Sequence, residues 1–171
     1  MQNHFDLFNL PRRFDVDAAA LDAAYRDVQG RVHPDRFVNA TDAEKRVAMQ
    51  WATRANEAYQ TLKNPQKRAA YLCELNGVPL DMESNTSMPV EFLMQQMEWR
   101  EALDDARADN DVAALEALDH KVRLDSKERL LAVGKHLDAE EYVLAAQGVR
   151  ALSFIEKFGE EVRSALDALD G

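Results

Sequence analysis

From Leu144 to Leu169, apolar residues return at every third or fourth position: Leu144, Gly148, Ala151, Ile155, Phe158, Val162, Leu166 and Leu169. An α-helix, at about 3.6 residues per turn, puts such positions on one side. Such a seam needs further helices with comparable stripes to cover it. Two candidates precede it, one following Pro89 and one running from about Asp111 to His136, while the seam helix itself starts after Asp138. Comparable stripes on all three predict a three-helix bundle over residues 89–171.

The chain ahead of the bundle reads as a second unit. Asn76-Gly77-Val78-Pro79, continuing through Asp81 to Pro89, holds Ser84, Asn85, Thr86 and Ser87 and little apolar periodicity, so residues 76–88 are expected to form a linker. Four helices are predicted before it. A short one around Phe5–Asn9 is stopped by Pro11. The second starts after Asp15 or Asp17 and places Leu21, Tyr25, Val28 and Val32 on one face. The third opens with Thr41-Asp42-Ala43-Glu44, a capping box, and carries the stripe Val47, Trp51, Ala55, Ala58 and Leu62. The fourth begins at Asn64-Pro65, a cap followed by a proline whose missing N–H does no harm there, and buries Ala69, Leu72 and Cys73. Helices two and three, with matching stripes and a short connection, form an antiparallel hairpin. The expected fold is all-α: a helical hairpin with short flanking helices over residues 1–75, linked to the C-terminal bundle.

Charge divides the chain in the same place. Residues 1–75 hold 11 Lys/Arg against 10 Asp/Glu, and residues 76–171 hold 10 against 21. So acidic a second half argues against a nucleic-acid partner, whose phosphates it would repel. The longest apolar runs are only a few residues, so no membrane span is expected. The start, Met1-Gln2-Asn3-His4-Phe5-Asp6, lacks the basic and apolar segments of a secretory signal. A single cysteine, Cys73, cannot form an internal disulfide, which suits a cytoplasmic location. Its place in a helical core pattern predicts a buried, inert thiol. His4, His33, His120, His136 and Cys73 show no ligand spacing, so neither a metal site nor a cofactor is expected.

The connection between helices two and three contains His33-Pro34-Asp35. Pro34 disfavours helix in the residue before it and ends helix two nearby, leaving Asp35 on a loop at the tip of the hairpin. A carboxylate held there suits a bidentate pairing with an arginine of another protein. General-base chemistry would want a cleft and a shifted pKa instead. No glycine-rich phosphate loop, zinc signature or serine elbow accompanies it, so the chain is not expected to be an enzyme.

Residues 5–71 resemble a J-domain throughout. The matching segments are the short first helix, Arg31-Val32-His33-Pro34-Asp35-Arg36-Phe37, then Asn56-Glu57-Ala58-Tyr59-Gln60-Thr61-Leu62, and Gln66-Lys67-Arg68-Ala69-Ala70-Tyr71. The resemblance implies that His33, Pro34 and Asp35, with Arg26, Arg31 and Arg36 beside them, dock on a DnaK-type ATPase chaperone and promote ATP hydrolysis. Two departures stand out: Asp22 and Asp27 lie among the helix-two charges, and Arg36 replaces the usual lysine.

The helix after Pro89 carries more apolar residues than one stripe can bury. Steps of about 100° bring Phe92, Trp99 and Leu103 together as a core stripe. Leu93, Met94 and Met97 fall mostly on the other side, among Glu98, Glu101 and Asp104. Periodicity leaves two readings open: a partner surface of adaptable methionines edged by steering charge, or a wide core stripe with the methionines partly covered. The segment Phe92-Leu93-Met94, Met97-Glu98, Arg100-Glu101 and Leu103-Asp104 is similar to the C-terminal domain of the HscB family, which binds the iron–sulfur scaffold protein IscU. Ala151-Leu152-Ser153-Phe154-Ile155-Glu156-Lys157 matches the same domain. By this resemblance Leu93, Met94, Met97, Glu98, Glu101 and Phe154 are the scaffold contacts, with Met97 where the family usually has leucine. Phe154 lies about 80° from the centre of its own seam and can flank the patch.

Together the resemblances imply a co-chaperone that brings an IscU-type scaffold to an HscA-type chaperone of the DnaK family and stimulates its ATPase. The alternatives are a general J-domain co-chaperone for other clients and a non-catalytic helical adaptor. A general J-protein would carry a Gly-rich segment with paired zinc cysteines or a broad β-domain. With 6 glycines and 1 cysteine, this chain has neither feature of the first kind.

Overall fold

A computed structural model describes residues 2–80 and 88–170. Of the expected linker, residues 81–87 lie outside the described part. Among the described residues the chain is all-α, with seven α-helices and one 3-10 turn. They are α1 (His4–Leu7), α2 (Ala18–Arg31), the 3-10 turn (Pro34–Phe37), α3 (Asp42–Lys63), α4 (Pro65–Leu75), α5 (Val90–Ala108), α6 (Val112–Asp138) and α7 (Tyr142–Asp170).

Helix starts follow local chemistry. The Asp17 carboxylate accepts from the N–H groups of Ala19 and Ala20. Thr41 Oγ1 accepts from Glu44 N–H, Asn64 Oδ1 from Lys67 N–H, and Asp111 Oδ1 from Ala114 N–H. Each cap satisfies a backbone donor that the first helical turn leaves free. The α5–α6 and α6–α7 turns pass through left-handed residues, Asn110 at φ 50° and Glu140 at φ 60°.

The α2–α3 hairpin closes on Leu21, Ala55, Ala58 and Leu62, all buried. The rings of Tyr25 and Tyr59 stack at 4.1 Å across it. The expected α3 stripe fails at its start: Val47 and Trp51 are exposed, and Ala48 takes the buried position. From Val47 to Ala55 is eight residues, a drift of about 80° around a helix, whereas seven residues drift by only about 20°. In addition α3 has 22 residues and α2 only 14, so the first turns of α3 run beyond the end of their partner.

Helices α6 and α7, of 27 and 29 residues, outlast α5, which has 19. One end of the α6–α7 pair joins α5 in the bundle core, through Phe92, Trp99, Leu103, Leu115, Val122, Ile155, Phe158 and Val162. At its other end, Val133, Leu137, Ala145, Ala146, Val149 and Leu152 share a second core with residues from α1 to α4, including Phe5, Leu62, Ala69, Leu72 and Cys73. Thus α7 buries two faces. The expected seam holds at Ala151, Ile155, Phe158 and Val162, but Leu144 at its start is exposed. In that first part of α7 the buried positions are Ala145, Ala146 and Val149, because the hairpin unit packs there in place of α5. Gln66 Nε2 also donates to Ser153 Oγ at 3.2 Å across this joint.

Candidate functional site

The described residues carry two exposed features with partner chemistry, one at the hairpin tip and one on α5. At the tip, Val32 caps α2 and His33 turns extended, at φ −60° and ψ 137°. Pro34 then opens a single 3-10 turn where sequence alone anticipated a loop. His33 Nδ1 accepts the Asp35 N–H at 3.2 Å and lies 3.6 Å from Asp35 Oδ2. The imidazole therefore fixes the backbone that presents Asp35, and the Asp35 side chain is 89% exposed. No described residue folds over it, and it is available to a cationic fork from outside.

The helix-two cations differ from one another. Arg31 is tied to Asp27 at 2.9 Å, a surface pair one turn apart. Arg26 Nε donates to the Asp22 carbonyl at 3.4 Å, while the Asp22 carboxylate turns inward and accepts the Tyr59 hydroxyl. Arg36 is exposed and makes no ion pair among the described residues. Of the two acids that interrupt the basic face, Asp22 belongs to the hairpin and Asp27 screens Arg31.

Beside the tip lies a hollow of about 490 Å³ lined by Val32, Pro34, Phe37, Ala48, Met49 and Lys45 among others. Val38 and Met49 at its edge are exposed. Sequence reading missed this hollow. The signal was Met49 itself, an apolar residue about 100° from Ala48 and so outside the expected stripe and the observed one alike.

On α5, Phe92, Trp99 and Leu103 are buried while Leu93, Met94 and Met97 face solvent, Met97 at 72%. Glu98 and Glu101 are exposed and make no ion pair among the described residues. Arg100 is drawn back to Glu161 at 2.7 Å and over the Phe158 ring at 5.2 Å. This leaves the face apolar at its centre and acidic at its rim, complementary to an apolar patch edged by cations. Phe154 of α7 is 41% exposed, with its ring centroid 6.3 Å from that of Phe92, so it belongs to the same end of the face.

Beside that end, Arg129 of α6, 30% exposed, donates from Nε to Asp125 at 2.6 Å and from Nη2 to Gln95 Oε1 at 2.9 Å. Gln95 Nε2 donates back to Asp125 at 3.2 Å, and the guanidinium carbon stands 4.9 Å from the Phe92 ring centroid. Sequence reading passed over Gln95 and Arg129, because Asp125 and Arg129 look like an ordinary exposed pair one turn apart.

The Cys73 thiol is fully buried, lies 3.7 Å from the Tyr142 carbonyl oxygen, and is pushed above its ordinary pKa by burial. Among the described residues no group of three or more His, Cys, Asp or Glu could hold a metal ion. No helix there is long and apolar enough to cross a membrane.

Comparison with known proteins matches each half to a family. The DnaJ domain matches residues 3–71, and the HSCB C-terminal oligomerisation domain matches residues 88–163. The Co-chaperone protein HscB homolog of Burkholderia multivorans is 55% identical over 168 residues, covering 98% of this chain and 96% of the relative. The homolog of Burkholderia cenocepacia is 54% identical over the same coverage. Among solved structures, Chaperone HscB from Vibrio cholerae superposes with a TM-score of 0.83 at 39% identity, covering 98% of this chain and 99% of that one. Human co-chaperone protein HscB gives 0.88 at 27% identity, covering 96% and 82%. With both halves matched in order and relatives aligned over nearly their whole length, this chain belongs to the HscB family of J-domain co-chaperones.

Proposed function

We propose that this protein serves iron–sulfur cluster biogenesis by carrying an IscU-type scaffold protein to an HscA-type chaperone of the DnaK family and stimulating that chaperone's ATPase. It catalyses nothing itself, needs no cofactor and works in the cytoplasm. Residues 1–75 act as the J-domain, residues 76–88 as the link, and residues 89–171 as the scaffold-binding unit. The tip at His33, Pro34 and Asp35, assisted by Arg26, Arg31 and Arg36, docks on the chaperone's ATPase. The face at Leu93, Met94, Met97, Glu98, Glu101 and Phe154 holds the scaffold.

The observation that carries this reading is the simultaneous exposure of Asp35 and of the Leu93–Met94–Met97 face on different elements of one chain. A carboxylate with its backbone fixed offers differential contact to one state of an ATPase, and so shifts it toward hydrolysis. Holding the scaffold on the same molecule raises its effective concentration at the chaperone's peptide site. The test is ATP turnover by a purified HscA-type chaperone with this protein, with an IscU-type scaffold, and with both. Turnover is expected to rise with this protein and to rise further with both. No rise in either mixture refutes the proposal.

A further inference from the structure

We propose that Arg129, 30% exposed beside the α5 docking face, is a positioning residue for that face, setting the affinity for the partner without touching it. The proposal rests on the scaffold-binding reading of that face.

The end of α5 that carries Leu93 and Met94 needs an external hold. Pro89 caps the helix and offers no side-chain acceptor for its free N–H groups. The half-exposed Leu93 and Met94 add little packing of their own. What fixes their positions is the pair of residues beside them, Phe92 on one side and Gln95 on the other, and Arg129 holds both. Its guanidinium faces the Phe92 ring at 4.9 Å and donates to Gln95 Oε1 at 2.9 Å.

Asp125 completes the arrangement. It accepts from Arg129 Nε at 2.6 Å and from Gln95 Nε2 at 3.2 Å, so the three polar side chains form a closed triangle between α5 and α6. The planar guanidinium suits this because it can stack on a ring and donate in its own plane at once, which a lysine ammonium does less well. Phe92 passes the hold on to α7. Its ring lies 6.3 Å from that of Phe154, tilted by 52°. Arg129 therefore fixes Leu93 and Met94 through their neighbours, and Phe154 through an aromatic contact. These three residues share one end of the face, whereas Met97, Glu98 and Glu101 lie further along α5.

Scaffold binding by the full chain and its Arg129→Met and Arg129→Lys variants tests this, read by titration calorimetry together with the ε-methyl NMR signals of Met94 and Met49. Arg129→Met keeps the aliphatic stem and removes the charge and donors. It is expected to weaken binding by about tenfold, to move the Met94 methyl signal, and to leave that of Met49, on α3, in place. Arg129→Lys, which can still pair with Asp125 and sit over Phe92, restores part of the affinity. Arg129→Met combined with Phe154→Ala loses less than the product of the two single effects, because both act on one contact chain. An Arg129→Met protein that is folded and binds within twofold of the parent, or whose Met94 signal is unmoved, overturns the proposal. Leu93→Ala with Met97→Ala runs as a control. If that control binds as the parent does, the scaffold reading of the face is lost. If it loses binding and Arg129→Met does not, only the role of Arg129 is lost.

Discussion

The Tyr59 hydroxyl donates to the Asp22 carboxylate at 2.6 Å, bridging α3 to α2 across the hairpin whose tip carries His33, Pro34 and Asp35. This bond, followed by burial, raises the Tyr59 pKa above its ordinary value. A phenol held neutral more firmly in the folded chain than in the unfolded one contributes stability fully below about pH 10 and loses it as pH rises through the folded value. Chemical denaturation across that alkaline range is therefore expected to show stability falling in the parent. In Tyr59→Phe this part of the fall is absent, and the variant starts from a lower stability at neutral pH. Parallel alkaline limbs would contradict the assignment.

Asp35→Asn removes the tip's charge and keeps its shape. The side chain is almost fully exposed and its only close partner among the described residues is His33, so the melting temperature is expected to stay within a degree or two. ATPase stimulation of the chaperone is expected to vanish, and calorimetric binding of the scaffold to persist. A variant that still stimulates turnover removes Asp35 from the docking contact.

Leu93→Ala with Met97→Ala reverses that pattern. Leu93 is half-exposed and Met97 largely exposed, so folding stability is expected to fall by only about 1 kcal/mol. Scaffold affinity is expected to fall by about tenfold to a hundredfold, as for apolar residues at the centre of an interface. Stimulation of the chaperone in the absence of scaffold stays at the parental level. Loss of both activities in a folded variant contradicts the separation of the two surfaces.

Two glycines separate packing from propensity. A Cβ on Gly148 would stand 2.6 Å from Val133 Cγ2, a stiff and buried side chain on the facing helix, whereas a Cβ on Gly30 meets nothing within 4 Å. Gly148→Ala is therefore expected to cost about 1–2 kcal/mol, the crowding outweighing the gain in helix propensity. Gly30→Ala, in exposed α2, is expected to add about 0.5–1 kcal/mol. Urea unfolding midpoints with unchanged slopes measure both.

The parts of the fold legible in the sequence were those decided within a few residues. Asp17, Thr41, Asn64 and Asp111 begin helices by bonding to N–H groups two or three positions on, and such caps can be read without knowing what packs where. The two apolar sides of α5 were legible as well, because Leu93, Met94 and Met97 stand at angles that Phe92 and Trp99 cannot share, but periodicity left open whether the second side is exposed or partly covered. Three features needed the assembled chain. Val47 and Trp51 outrank Ala48 in size, so the stripe drawn through them looked better than the one that forms. Ala145 and Ala146 are small enough to pass unnoticed, and only the approach of α4 makes them core. Arg129 reads as half of a surface ion pair until Phe92 and Gln95 are brought over it.

The common core between the hairpin unit and the α6–α7 pair limits how this protein can be re-engineered. Val133, Leu137, Ala145, Ala146, Val149 and Leu152 are shaped to Leu72, Cys73, Ala69 and their neighbours. Exchanging the first 75 residues for those of an unrelated J-protein would leave a greasy socket with no matching plug, whatever the recipient sequence at the tip. A working chimera would have to transplant the outer side of α4 along with the tripeptide.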